Sequence, residues 1–594
     1  METEGAEGRR QLPGAGAISW LLHPDRQVRA VAGQLDAVRV LTEAGVLRPS
    51  RPDRLVAALL SLVRWGFTPA AGYATAAARY PDDPAIIDDA GTLTFAELDR
   101  RTSAIARGLQ EAGVTEGERV ALLARNHRGF VEALVAISKL GADAVLLNTS
   151  FAGPQLAGVM KGEKARVVIH DEEFTELLRE GARRRRRFIA WHDTEPPRTT
   201  PTLDALAERH AGETVAPPSR SGRIVILTSG TTGAPKGAAR GSPGGIDPAI
   251  AILSRIPYRS RQTTLIAAPL FHAWGFANLL LSSLLASTVV LQRRFDPAST
   301  LTALSQHRAH GLVAVPVMLK RILELPEHQR TTRRPRSLRV VAVSGSALPG
   351  PLAIEFMDEF GDVVYNLYGS TEVAWAAIAT PAELRSHPGT VGRPPRGTIV
   401  KILAEDGHEL PPGAIGRIFV GNGMVFEGYT SGADKERMGT LVSTGDVGRF
   451  TEDGLLFVEG RDDDMIVSGG ENVFPAEIEE LLHGHPAVAD VAVIGVADEE
   501  FGQRLAAFVV AREGRNLDEA TVKGYVRDHL ARYKVPRDVT FLDRLPRNAT
   551  GKVLKRELPQ PGAATEHRTL SSGGRTSPAS AGRASRHRGA SARR

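Results

Sequence analysis

Thr228-Ser229-Gly230-Thr231-Thr232-Gly233-Ala234-Pro235-Lys236-Gly237 gathers in one decapeptide the groups that hold phosphate. Nine of these ten residues are Gly, Ser, Thr, Pro or Lys. The hydroxyls donate to phosphate oxygens, and Lys236 adds a mobile positive charge. The glycines permit the positive-φ turns through which successive backbone N–H groups converge on an anion. Ile224-Val225-Ile226-Leu227 just before it is an apolar, β-branched run of the kind that forms a buried strand. The loop is not a Walker A motif, which needs Gly before its Lys and Ser or Thr after it. Here Pro235 and Gly237 flank Lys236, which argues against an ordinary kinase or GTPase cradle.

Other stretches carry complementary chemistry. In Tyr368-Gly369-Ser370-Thr371-Glu372 an aromatic ring beside a glycine offers a platform for a purine. Thr371 can donate to a phosphate or carboxylate oxygen. Glu372 is a hard-oxygen ligand of the kind Mg²⁺ takes in small number. Asp446, in Ser443-Thr444-Gly445-Asp446, can accept from two ribose hydroxyls, with the donor fork of Arg461 nearby in sequence. Taken alone, each of these is also compatible with an ordinary turn or strand end, and Lys552 with a surface charge. His272 stands among Phe271, Trp274 and Phe276, and with Val315 and Pro316 these suggest an apolar pocket.

TSGTTGAPKG closely resembles the signature loop of the adenylate-forming enzymes, the family of acyl-CoA synthetases, peptide-synthetase adenylation domains and beetle luciferases. The other stretches follow in that family's order across about residues 75–558. The resemblance implies that Thr228, Ser229, Gly230, Thr231, Thr232, Gly233 and Lys236 hold the phosphates of ATP. It implies that Gly345, Ser346, Ala347, Tyr368, Gly369 and Ser370 surround the adenosine, Asp446 and Arg461 the ribose, and Glu372 Mg²⁺. Leu545-Pro546-Arg547-Asn548-Ala549-Thr550-Gly551-Lys552 resembles the family's last motif, whose lysine enters the site from a small domain and stabilises attack on the α-phosphate. Lys552, Thr371 and His272 are thus the implied catalytic set. Asp463 matches the hinge. Ser468, Gly469 and Gly470 match the loop bordering the coenzyme A tunnel. His272 stands where amino-acid-activating members generally carry an aspartate, so the resemblance favours a plain carboxylic acid.

These residues need a scaffold that collects strand ends. Strand-like runs alternate with helical ones from Pro84 to Leu367, which points to parallel α/β units. In such sheets ligands gather at the carboxyl ends of strands. Thr398–Leu403, Ile415–Val420 and Leu455–Val458 read as a small antiparallel β subdomain, and about 95 residues after Asp464 as a further α/β unit. The expected fold class is α/β: a large N-terminal domain of layered α/β sheets with the β subdomain, and a smaller mobile C-terminal domain. Expected boundaries are 1–72 for a helical extension, 73–459, a hinge at 460–464, 465–558, and an Arg/Ser/Gly-rich tail at 559–594. Arg183–Arg187 reads as a solvated helix end.

Bulk properties narrow the class. The chain has 594 residues, 42% hydrophobic and 24% charged, and no cysteine, so disulfides, thiolate metal sites and a Cys nucleophile are excluded. Absent cysteine suits a cytoplasmic protein, and Met1–Gly16 lacks the apolar core of a signal peptide. Residues 561–594 hold seven arginines against Glu566, which equals the formal net charge of +6. The balanced remainder argues against a nucleic-acid-binding fold. The tail reads as disordered, solvated or in weak contact with acidic lipid or nucleic acid. Apolar residues near helical spacing at Leu55–Val63 pack on the protein itself or touch a membrane peripherally.

The resemblance implies a carboxylate–CoA ligase, of fatty-acyl type, using ATP, Mg²⁺ and coenzyme A and releasing AMP and pyrophosphate. Loading of a carrier protein is the alternative; a luciferase-like oxygenase and a silent nucleotide-binding scaffold are remote ones. Oligomeric state is open. Because the tail lacks core-forming residues, deletion of 561–594 is expected to leave turnover within twofold of the full chain, roughly. Loss of activity on that truncation would assign the tail a working role.

Overall fold

A computed structural model describes residues 24–179, 181, 185–194, 199–228, 236–240, 245–426, 428–430, 435–468, 471–498, 502–548, 551–559 and 561. The apolar runs of the first 400 residues form two sheets. The larger has eight strands, in spatial order Ala377–Ala379, Val364–Tyr368, Val340–Val343, Gly311–Ala314, Thr263–Ile266, Thr288–Leu291, Pro84–Asp88 and Gly91–Thr94. Its interior pairs are parallel, and only the two edge strands run antiparallel. Val340–Val343 and Gly311–Ala314 are buried at every position, as strands covered on both faces must be.

The second sheet has six strands in the order Arg186–Trp191, Val167–Asp171, Arg119–Leu123, Asp143–Leu146, Ile224–Thr228 and Lys236–Arg240. Two findings here differ from the sequence reading. Arg186 and Arg187 begin a strand parallel to Val167–Asp171 rather than ending a helix. The two half-buried arginines are followed by the buried pair Phe188 and Ile189, and the strand lies at the sheet edge. Arg183 and Arg184 lie outside the described residues. Also, Lys236–Arg240 returns antiparallel to Ile224–Thr228, with Lys236 opposite Thr228. The Gly/Ser/Thr loop therefore joins two paired strands.

Helices cover both sheets. Phe95–Glu111, for example, opens on a reciprocal cap in which the Thr94 hydroxyl accepts from Glu97 N–H and the Glu97 carboxylate accepts from Thr94 N–H. At the N-terminal side α1 (Pro24–Glu43), α2 (Pro52–Trp65) and α3 (Pro69–Arg79) follow one another. α3 is sunk into the core through Ala70, Tyr73 and Ala76, and α2 rests on its outside.

Beyond residue 398 the chain turns antiparallel, as the sequence reading expects: Ile399–Leu403, Gly416–Gly421, Arg437–Met438, Leu441–Phe450 and Leu456–Arg461 make one sheet. A last sheet combines Ile466–Ser468, Glu471–Val473, Val488–Asp498, Gly502–Ala511 and Asp538–Phe541 with helices Pro475–His483 and Glu519–His529. It has its own core, including Ile466, Ile478, Val493, Val509 and Val526. The α/β class with a β subdomain and a smaller C-terminal unit is what the structure shows. Among the described residues no helix is long and apolar enough to cross a membrane.

Candidate active site

Four parallel strands of the large sheet end on one cleft of about 2380 Å³. Thr263–Ile266 leads to Pro269 and His272, Gly311–Ala314 to Val315 and Pro316, Val340–Val343 to Ser344–Pro349, and Val364–Tyr368 to Gly369–Glu372. The β subdomain adds Thr444, Asp446 and Arg461 to the wall, and the C-terminal unit adds Arg547, Asn548 and Lys552. The large-sheet residues stand just past the carboxyl ends of their strands, because a parallel sheet brings its strand ends to one edge, whereas Thr444 and Asp446 lie within the antiparallel strand Leu441–Phe450.

Asp446 is the electrostatic centre of this wall. The Tyr368 hydroxyl donates to its Oδ2 at 2.5 Å. Arg461 Nη1 lies 3.5 Å from its Oδ1, since the two residues face each other across neighbouring strands. Burial pushes the Asp446 carboxyl up from the usual range; the Tyr368 hydroxyl and the charges of Arg461, Lys552 and Lys435 pull it back. Burial and the Asp446 charge together hold the Tyr368 phenol well above its ordinary value, so it stays a donor. Gly445 has φ +78°, and a Cβ there would sit 3.2 Å from Lys435 Nζ and 3.3 Å from Arg461 Nη2. Two cations thus press on a turn that only glycine adopts without strain.

The Tyr368–Glu372 turn is held from within. Ser370 Oγ accepts from Glu372 N–H at 3.2 Å and Val373 N–H at 3.4 Å, so its hydroxyl shapes the turn. A Cβ on Gly369 would lie 2.2 Å from Ala374 O. Thr371 is half-buried and lines the cleft. Glu372 is buried, and its Oε1 accepts from the Tyr429 hydroxyl at 2.7 Å. Among the described residues no group of three His, Cys, Asp or Glu side chains could hold a metal. A single buried carboxylate facing the cleft nonetheless fits Mg²⁺, which takes one or two protein oxygens and completes its shell with phosphate and water.

Gly345 takes φ +97°, and Gly345, Ser346 and Ala347 all line the cleft. Ser229, Gly230, Thr231, Thr232 and Gly233 lie outside the described residues, and the Thr228 and Lys236 side chains are likewise outside the description. The foot of that loop is braced. Gly237 O accepts from Thr430 N–H at 2.8 Å, and a Cβ on Gly237 would lie 2.4 Å from Glu163 Oε1.

The apolar end of the cleft holds His272, Trp274, Phe276, Val315 and Pro316 together, as the sequence suggests. Trp274 Nε1–H donates to Ala314 O at 3.2 Å, which fixes the indole against the end of a strand. His272 Nε2 is buried with no hydrogen-bond partner among the described residues, and the Phe271 ring lies 4.6 Å away. Burial pushes this imidazole down to about 4, so it is neutral at physiological pH.

The C-terminal unit docks here. A Cβ on Gly551, at φ +80°, would meet Val317 Cγ1 at 2.6 Å, so the turn carrying Lys552 rests against the apolar end of the cleft. Asn548 Oδ1 accepts from Lys552 N–H at 2.9 Å and tightens that turn. Arg547 Nη2 pairs with both oxygens of Asp490 at 2.8 Å. Lys320 of the large unit reaches the same carboxylate at 3.7 Å. Around Asp463, Asp462 pairs with Arg417 of the β subdomain at 3.3 Å and Asp464 with Lys555 of the C-terminal unit at 3.3 Å. The Asp463 and Ser468 side chains, and all of Gly469 and Gly470, lie outside the description; the Ser468 backbone belongs to the C-terminal sheet.

Sequence reasoning missed Tyr429, Lys435, Lys320 and Asp490. None carries a local pattern; each matters only through a partner that the fold brings beside it.

The family model described as AMP-binding enzyme matches residues 73–430, and that described as AMP-binding enzyme C-terminal domain matches 477–552. The chain is 35% identical to a feruloyl-CoA synthase of Amycolatopsis sp over 489 residues, 80% of this chain and 96% of that one. It is 33% identical to an indoleacetate–CoA ligase of Aromatoleum aromaticum over 486 residues, 79% of this chain and 93% of that one. The solved o-succinylbenzoate coenzyme A synthetase of Bacillus subtilis in complex with AMP superposes with TM-score 0.70 at 29% identity, covering 82% of this chain and 97% of its own.

Removing the hydroxyl that satisfies Asp446 tests the electrostatic centre. Tyr368→Phe is expected to lower stability by about 1–3 kcal/mol in urea unfolding, because a buried carboxylate loses its donor. For His272, isotope-labelled ring-proton NMR is expected to find a midpoint near 4. An unfolded histidine titrates near 6.5, so the stability that neutral His272 contributes is complete above about pH 6.5 and is lost as pH falls towards 4. A midpoint at the unfolded value would place the ring in water.

Proposed function

We propose, from the premise that this chain belongs to the AMP-binding, adenylate-forming enzymes and is an AMP-forming acid–CoA ligase, that its acid substrate carries an aromatic ring. The observation that carries the reading is the site's division into a polar wall around Asp446 and a fixed apolar end at Trp274. The relatives' names support it, since feruloyl and indoleacetate groups are aryl acids. A second reading, a long-chain fatty acid, is favoured by one observation: the apolar lining continues past Trp274 and Phe276 to Ala277, Leu280 and Leu284, and on to Leu59 and Leu62 of α2.

In this proposal the adenosine lies between Gly345–Ala347 and Tyr368–Ser370. Asp446 accepts from the ribose hydroxyls, with Arg461 beside it. Residues 228–237 hold the β- and γ-phosphates. Glu372 would hold Mg²⁺, which neutralises phosphate charge when bound. The acid's carboxylate oxygen attacks the α-phosphorus, forming the O–P bond of an acyl-adenylate while the bond to the β-phosphate oxygen breaks and pyrophosphate leaves. Lys552 lies on the side where negative charge grows, and Thr371 donates to an α-phosphate or carboxyl oxygen. Neutral His272 offers its unpartnered nitrogen to the acid without adding a competing charge. Trp274, Phe276, Val315 and Pro316 bury the ring. Coenzyme A's thiolate sulfur then attacks the carbonyl carbon, and the carbon–oxygen bond to AMP breaks.

The domain boundaries belong to the same proposal. Asp462 is tied to Arg417 and Asp464 to Lys555, so the residue between them, Asp463, is where two separately anchored units can turn. Turning there would withdraw Lys552 and bring Ser468–Gly470 to the cleft for coenzyme A.

Given ATP, Mg²⁺, CoA and a panel of cinnamic, arylacetic, benzoic and straight-chain acids, the protein is expected to form AMP and thioester in equal amounts, with the highest kcat/KM on an aryl acid. Release of ADP would overturn the ligase chemistry. Turnover confined to long alkyl acids would overturn the ring-bearing substrate and leave the second reading. Lys552→Ala is expected to slow acyl-adenylate formation by about 10²–10³ while sparing CoA attack on premade acyl-adenylate; equal loss in both steps would remove the assigned role.

A further inference from the structure

Among the described residues, thirteen large apolar side chains are exposed, and nine of them lie between residues 35 and 67. They are Leu35 and Val38 on α1, Leu47 and Phe67 in the turns, and Leu55, Val56, Leu59, Leu60 and Val63 on α2. This segment precedes the matched family region, which begins at residue 73.

α2 is apolar in two stripes. Leu55, Ala58, Leu59 and Leu62, at helical spacing, border the cleft that ends at Trp274. Val56, Leu60 and Val63 lie outside that cleft and are 58%, 62% and 78% exposed. A helix resting on its own protein needs only one such stripe. The second leaves side chains in water that a soluble surface does not ordinarily cluster.

The net charge around this face is positive. Residues 35–67 contain Arg39, Arg48, Arg51, Arg54 and Arg64 against Asp36, Glu43 and Asp53, so five minus three leaves +2. Arg51 pairs with Asp53 at 3.1 Å. Arg54 donates to Arg79 O and Arg64 to Val215 O, contacts with carbonyls that leave their charge uncancelled. Arg48, at the turn before α2, is exposed.

We propose that α2 is an interfacial helix that lies flat on an anionic lipid surface, with Val56, Leu60 and Val63 among the acyl chains and the flanking arginines at headgroup phosphates. At about 1.5 Å per residue the helix offers roughly 21 Å of contact, and a short apolar face combined with cationic flanks gives reversible, headgroup-dependent binding. Positive charge selects this occupant over a second copy of the same chain, whose equivalent face would repel it. The cleft borders the same helix, so an apolar acid dissolved in the bilayer meets the acyl end directly. The docking itself holds for either acid class considered above.

Sedimentation of the full chain with vesicles tests this without any turnover. The expected result is retention on phosphatidylcholine–phosphatidylglycerol vesicles, with affinity at least roughly tenfold weaker on phosphatidylcholine alone. V56E/L60E/V63E is expected to lose anionic-vesicle binding about tenfold or more while keeping the wild-type melting temperature and turnover. A chain ending at Pro561 is expected to bind as the full chain does. Unchanged binding by the triple variant would overturn the proposal. So would loss of binding in the truncated chain alone, which would move the contact to the arginine-rich tail. A concentration-dependent dimer that the triple variant dissolves, with no vesicle binding by the wild type, would overturn it in favour of a self-interface.

Discussion

A carboxylate withdrawn from water must find charge and hydrogen bonds nearby, and Asp446 imposes that demand on four separate parts of this chain. An uncompensated buried charge costs several kcal/mol. Here the compensation comes from the Tyr368 hydroxyl at a strand end of the large sheet, Arg461 on the neighbouring β-subdomain strand, Lys435 from the preceding segment and Lys552 from the C-terminal unit. The same arrangement that makes Asp446 tolerable gathers the groups an ATP site needs. Nucleotide hydroxyls would enter a place where donors are already turned towards one acceptor.

The fold supplies that convergence by geometry. Parallel strands deliver their ends to one edge, so Pro269, Val315, Ser344 and Tyr368 become neighbours despite a separation of about a hundred residues in sequence. Glycine is required where the chain passes close to a neighbour: Gly369 against Ala374 O, and Gly551 against the Val317 side chain. The second contact also joins the two units, because the turn holding Lys552 packs on the helix Pro316–Leu323 of the large one. The wall of the cleft therefore includes the C-terminal unit in this docked arrangement. The C-terminal unit is held at the cleft through the Lys552 turn, the Lys320–Asp490 contact and the ion pairs of Asp462 with Arg417 and Asp464 with Lys555.

Polarity divides the cleft. Around Asp446 it is charged and hydrogen-bonded, whereas around Trp274 it is apolar and rigid. Between them sits His272, uncharged because burial disfavours its protonated form. An ammonium substrate would find no carboxylate at that position. A plain acid finds a neutral ring and an apolar wall, and the apolar lining runs on towards a helix outside the matched family region.

Local chemistry was readable directly from the chain wherever function needs particular residue types side by side. The decapeptide Thr228–Gly237 suggests phosphate binding by composition, whereas the turn Tyr368–Glu372 and the octapeptide ending in Lys552 take their meaning from resemblance to a family's motifs in order. Strand periodicity likewise gave the α/β class and the change to antiparallel pairing after residue 398. What tertiary structure decided were relations across distance. Tyr429 on Glu372, Lys435 beside Asp446 and Lys320 on Asp490 have no local signature, since each arises when strand ends and two units meet. Arg186 and Arg187 taught the converse lesson, because a run of like charge reads as a solvated helix end until a neighbouring parallel strand supplies the backbone partners that make it a sheet edge. Residue type fixes what a side chain can do; burial and proximity, which only the folded chain creates, fix which of those capacities is used.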